Sequence, residues 1–209
     1  MTKQSNILSA LALCAFACPA AAATVTFDLT QSSGSSWLNV LNYSASGLGM
    51  AASGATYSNS NTINGTAQVR TFAGTGLGIR SPGDTNNQID GSGSNELALF
   101  TFSQAVTLLS VGFTPSTVAA DDFFDLFTGN GGPTTIQYLD LQASANYLFP
   151  TPQTALTFGI GAYWGFSEYY LSSITVSFPD MAPVPLPAAG AALLAGLGGL
   201  GLLRRRRGA

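Results

Sequence analysis

Histidine is absent from the 209-residue chain, and lysine occurs once, as Lys3 at the extreme N-terminus. The two cysteines, Cys14 and Cys18, both fall in the leading segment, and charged residues make up only 8% of the whole. Each shortage excludes a chemistry. With neither imidazole nor thiol in the body, Ser-His-Asp and Cys-His catalysis are ruled out there, as are imidazole and thiolate zinc sites. No lysine in the body can activate a serine. Between Thr24 and Pro183 the bases are Arg70 and Arg80 against all ten acids, so this stretch carries −8. Nucleic acid is thereby excluded as a partner, because neutralising phosphates needs basic surface. Amphipathic-helix periodicity is missing as well.

What is present begins with the two ends. Residues 1–23 read as a signal peptide. Lys3 supplies the positive start, and Ile7 to Ala17 is an apolar run of 11 residues, too short to span a bilayer. Ala21-Ala22-Ala23 then offers small residues at −3 and −1, which places cleavage before Thr24, with a cut after Ala20 as the alternative. A buried helix is a competing reading, opposed by the flanking residues and the shift to strand-like sequence at Thr24. Lipidation at Cys14 or Cys18 is another. Against it, Leu13 directly precedes Cys14, and no Leu stands at −3 from Cys18. Cleavage before Thr24 leaves a mature chain without thiol or disulfide.

Residues 182–209 form the second terminal feature. Every residue from Ala188 to Leu203 is Ala, Leu or Gly, and Val184 to Leu203 is 20 residues. At 1.5 Å per residue that helix would span about 30 Å, the thickness of a bilayer's hydrocarbon core. Pro185 and Pro187 disfavour helix before Ala188. Arg204, Arg205, Arg206 and Arg207 act as a cytoplasmic stop by the positive-inside rule. A single C-terminal transmembrane helix is predicted, with the body outside. Val184-Pro185-Leu186-Pro187-Ala188, the apolar helix and the Arg run together resemble the VPLPA-type variant of the PEP-CTERM sorting signal. The resemblance implies an exported protein of an exopolysaccharide-producing Gram-negative bacterium. Its partner would be an exosortase, a membrane-embedded Cys transpeptidase that cuts the tail. An anchor that is never processed is the alternative.

Residues 24–181 read as an all-β domain. Val25, Phe27 and Leu29 alternate with Thr26 and Asp28, and Ile174, Val176 and Phe178 alternate with Thr175 and Ser177. Further runs cover 37–43, 68–72, 97–102, 106–113, 123–127, 136–141 and 155–163. The inward phase slips by one between Ile136/Tyr138 and Leu139/Leu141, which predicts a bulge. Turn signals at Gly91–Asn95, Gly129–Pro133 and Pro150–Pro152 separate the runs, and the Ala/Gly/Ser/Asn-rich stretch 47–64 reads as a long loop or irregular strands. About nine short strands without helices imply an antiparallel β-sandwich, jelly-roll-like. A Gly-Ile strand at Leu77–Arg80, an Ile-Asp turn at Ile89-Asp90 and Glu96 before Leu97–Phe102 are similar to domains commonly joined to PEP-CTERM tails. That likeness implies fold and address rather than a reaction.

Carboxylates are the remaining chemical candidates. Asp84, Asp90 and Glu96 surround one polar loop, and Asp121, Asp122 and Asp125 form a second group. Ca²⁺ takes six to eight oxygens from such groups and from loop carbonyls. EF-hand spacing fails, since Ile89 and Asn95 stand where Gly and Glu are needed. A sandwich-type Ca²⁺ site from Asp90, Glu96 and Asp121 or Asp122 is the metal candidate, against a role for these acids in capping turns. Tyr163, Trp164, Tyr169 and Tyr170 are candidates for an exposed aromatic platform that stacks sugars, with core packing as the alternative. Glu96 and Glu168 are the only glutamates, the one pair a glycosidase could use. No catalytic residue is assigned. The expected function is a non-enzymatic surface or matrix protein associated with polysaccharide, and a carbohydrate-binding module is the alternative.

Overall fold

The computed structural model describes residues 22–58, 62–130, 135–162 and 167–179. The leader up to residue 21, the whole sorting tail with Val184–Ala188 and Arg204–Arg207, and Tyr163 and Trp164 lie outside the described residues. The described part is all-β. Ala22–Pro179 forms one compact unit, and every strand pairing in it is antiparallel.

The alternating ends of the body form β1 (Ala22–Asp28) and β12 (Leu171–Pro179), which pair in register from Ala22↔Pro179 to Asp28↔Ser173. Val25, Phe27, Ile174, Val176 and Phe178 turn inward, as their spacing predicts. Ala22 and Ala23 are the first residues of β1, so cleavage before Thr24 would remove two paired positions. The alternative cut after Ala20 would keep both.

Between them run β2 (Val40–Ala45), β3 (Leu48–Tyr57), β4 (Ile63–Phe72), β5 (Gly76–Arg80), β6 (Ile89–Asp90), β7 (Asn95–Phe113), β8 (Phe123–Gly129), β9 (Thr135–Gln142), β10 (Tyr147–Ala162) and β11 (Glu168–Tyr169). The small-residue stretch, read as a long loop or irregular strands, is for the most part the central strand β3, paired with β2, β4 and β7. A two-residue turn starts it. Ser46 and Gly47 have φ of 51° and 79°, the left-handed pair that a type I′ hairpin needs. Small side chains here serve close packing: a Cβ on Gly54 would lie 2.8 Å from the Ala67 backbone.

β7 organises the sheet. The runs 97–102 and 106–113, read separately from sequence, are one strand of 19 residues. Its first half pairs with β3 and its second with β12, while β10 follows it along the other edge. The sheet therefore folds back on itself around β7 and β10. Pro150-Thr151-Pro152, expected as a turn, lies within β10 at a register shift between Leu148 and Gln153. Proline has no N–H for a ladder, so it fits where pairing lapses. The predicted bulge in β9 is present. Phe124 pairs with Leu141 and Leu126 with Tyr138, leaving Leu139 and Asp140 opposite Asp125. The core gathers Phe113, Phe124, Phe149 and Tyr169 with Leu, Ile and Val from both ends of the sheet.

Candidate functional site

The loop from Ser81 to Gln88, between β5 and β6, is built by local rules. Ser81-Pro82-Gly83-Asp84 makes a type II turn: Asp84 N–H donates to the Ser81 carbonyl at 3.2 Å, and Gly83 has φ of 88° at the position that needs it. Asp84 Oδ1 accepts Asn86 N–H at 2.9 Å, and Asp90 Oδ1 accepts Ser92 N–H at 2.8 Å, both Asx turns. Glu96, at the start of β7, ties the ends of this loop together. Its Oε1 accepts Ser81 N–H at 2.6 Å and its Oε2 accepts Asp90 N–H at 3.3 Å. The loop lies directly on β5, so closely that only glycine fits at position 78.

These closures bring three carboxylates together. Asp84, Asp90 and Glu96 each offer an oxygen within 4.8 Å of the others. Asp90 is 3% exposed and Glu96 is fully buried. Asp84 Oδ2 and Asp90 Oδ2 are buried without a hydrogen-bond partner among the described residues. Burial pushes Glu96 up to about 7; the Ser81 N–H opposes this and the neighbouring Asp90 charge adds to it. Burial raises Asp90 as well. At the margin, Asn86 donates to Glu168 at 3.2 Å, and Glu168 pairs with Asp90 across β11 and β6.

The second acidic group is elsewhere and already occupied. Asp122 Oδ2 accepts Ala119 N–H at 2.5 Å and its Oδ1 accepts Glu168 N–H at 3.0 Å. Asp122 therefore secures backbone and has no role in the three-carboxylate cluster, contrary to the expected ligand set; Asp121 is exposed and also outside it. Asp125 is buried, accepting Tyr57 O–H and Asp140 N–H at 3.0 Å each, so it pins the β9 bulge. Of the pair a glycosidase could use, Glu96 is sealed in the cluster and Glu168 is exposed.

The aromatic platform also differs from expectation. Tyr169 is fully buried, with its ring edge-on to Phe113 at 4.9 Å, so it belongs to the core. Alternation along β11 explains this: Glu168 faces out and Tyr169 in. Tyr170 is half-buried and joins a row that sequence reasoning missed, since its members are far apart in the chain. Tyr170 meets Phe72 at 5.5 Å, Phe72 meets Trp37 at 6.0 Å, and Arg70 and Arg80 lie over Phe72 and Trp37 at 4.5 and 5.6 Å. The only two bases of the body thus share one aromatic surface. Beside it is a groove of about 580 Å³ lined by Asn39, Thr66, Gln68, Arg80, Asp84 and Thr85, among others.

No family model matches this sequence, and no curated protein matches it. Among solved structures it resembles the family 32 carbohydrate-binding module of C. perfringens NanJ in complex with galactose. The sequences are 17% identical, the match covers 62% of this chain and 93% of that one, and the TM-score is 0.32.

Proposed function

We propose that this chain is a non-enzymatic exported protein of the cell surface or extracellular matrix. Its body would be a jelly-roll-like β-sandwich, delivered by a signal peptide and sorted at its tail by an exosortase-like transpeptidase. One observation carries the reading: Val184-Pro185-Leu186-Pro187-Ala188, a bilayer-length apolar run and Arg204–Arg207 occur in that order at the C-terminus. Intact mass spectrometry of protein recovered from cells and medium tests the sorting. A chain ending between Pro185 and Ala188 is expected; a chain retaining Arg204–Arg207 in both fractions would leave only plain anchoring.

A second reading, carbohydrate binding, rests on the row Trp37–Phe72–Tyr170 with Arg70 and Arg80 beside the polar groove. Aromatic faces stack on sugar rings, and planar Asn, Gln and Arg groups hydrogen-bond hydroxyls and carboxylates. On a glycan array of neutral and acidic polysaccharides, Trp37→Ala and Arg80→Ala should each weaken binding at least tenfold. If Tyr163→Ala and Trp164→Ala do so instead, the 163–170 loop is the platform. No binding by the unaltered chain would end this reading.

A further inference from the structure

We infer that Asp84, Asp90 and Glu96 form a calcium site that locks the Ser81–Gln88 loop onto β5 and β7. Three facts converge on it. The first is spacing. The three carboxylates offer oxygens within 4.8 Å of one another, close enough for one cation to reach all three, and a carboxylate-and-carbonyl oxygen set with flexible geometry suits Ca²⁺.

The second fact is an unmet electrostatic need. Burying carboxylates without a counter-charge is costly, and like charges at this distance compound the cost. Among the described residues no ion pair neutralises the cluster. Arg80, the nearest base along the chain, donates through Nε to the Asp84 backbone carbonyl at 3.1 Å, and its guanidinium carbon lies over Trp37.

The third fact is the pair of orphaned oxygens. Asp90 is 97% buried; its Oδ1 accepts Ser92 N–H, and its Oδ2 makes no hydrogen bond among the described residues, the nearby Asn86 amide donating instead to Glu168. Asp84 repeats the pattern, with Oδ1 taken by Asn86 and Oδ2 buried and unmet. Buried polar atoms are ordinarily satisfied, and two orphans in one three-carboxylate cluster point to a shared partner with positive charge. A hard divalent cation satisfies both and offsets the repulsion. Loop carbonyls and water complete its shell. Since Asp84 also lines the groove, the ion would fix one groove wall.

The test uses the full chain purified in detergent, stripped with EDTA and titrated separately with Ca²⁺ and Mg²⁺, followed by calorimetry and thermal unfolding. Calcium at a hundredfold excess over its Kd should raise Tm by about 5–10 °C, magnesium by much less. Asp90→Asn and Glu96→Gln should each weaken Ca²⁺ binding at least tenfold. In EDTA Asp90→Asn should unfold no earlier than the unaltered chain, because it removes a repelling charge and keeps an oxygen for Ser92 N–H, which separates lost binding from lost folding. Asp121→Asn, outside the cluster, should keep the full calcium response. No heat and no Tm shift at millimolar Ca²⁺, or a response undiminished in Asp90→Asn, would overturn the assignment.

Discussion

Phe124→Ala should lower the stability of the folded body by about 4 kcal/mol, the cost of truncating a fully buried aromatic. Phe124 is 0% exposed and meets Phe113 at 5.0 Å, Tyr147 at 5.1 Å and Phe149 at 6.3 Å. Those partners lie on β7 and β10, the two strands around which the sheet folds, so the ring joins β8 to both. A void there is lined by rings on long, well-paired strands, which have little freedom to collapse into it. For a domain of this size the fall corresponds to roughly 8–16 °C in Tm. Urea unfolding should show a lower midpoint with an unchanged slope, the signature of lost stability rather than altered compactness. A change under 1 kcal/mol would mean that this ring cluster does not hold β8 to β7 and β10.

Gly78→Ala should also be damaging, through a different cause. A Cβ at position 78 would lie 1.8 Å from the Asn87 carbonyl oxygen and 3.0 Å from Tyr170. The first obstacle is backbone, so the loop itself must lift from β5. Overpacking of this kind costs about 1–3 kcal/mol. The displaced loop carries Asp84, and the move also strains the Glu96 bonds to Ser81 and Asp90 that close the cluster. Calcium affinity should therefore fall at least tenfold together with stability. Calorimetry on Gly78→Ala beside Gly74→Ala separates the two effects. Gly74 has open space around its Cβ position but φ of 69°, so its substitution brings backbone strain without loop displacement. Equal calcium binding by both variants would show that the close approach at Gly78 does not position the site.

How much was legible in the sequence followed from how local each signal is. Alternation at Val25/Phe27/Leu29 and Ile174/Val176/Phe178 is a property of neighbouring residues, and it places those side chains inward correctly. The phase slip in β9 likewise announces its bulge. Stretch 47–64 stays open between loop and strand because Ala, Gly and Ser carry little hydrophobic signal; β3 is a strand through the close packing of its neighbours, which no window along the chain contains. Pro150 and Pro152 read as a break for a sound local reason, yet the strand continues because β7 lies alongside and the prolines occupy the lapse in pairing. Tyr169 and Tyr170 are adjacent and chemically alike. Which of them faces the core is decided by the bridge of β11 to β6.

The sequence by itself determined the all-β class of the body, its acidity and its lack of imidazole and thiol, since composition and nearest-neighbour patterning are complete in one dimension. It also carried the tail on which the proposed sorting rests. Only the tertiary structure decided which acids meet. Asp84, Asp90 and Glu96 converge while Asp121 and Asp122 do not, because a carboxylate's surroundings are set by backbone N–H groups and by chain folded in from distant positions. The same folding put Trp37, Phe72 and Tyr170 into one row. Spacing along a chain names the groups that could meet; the closing of the loop onto β5 determines which of them do.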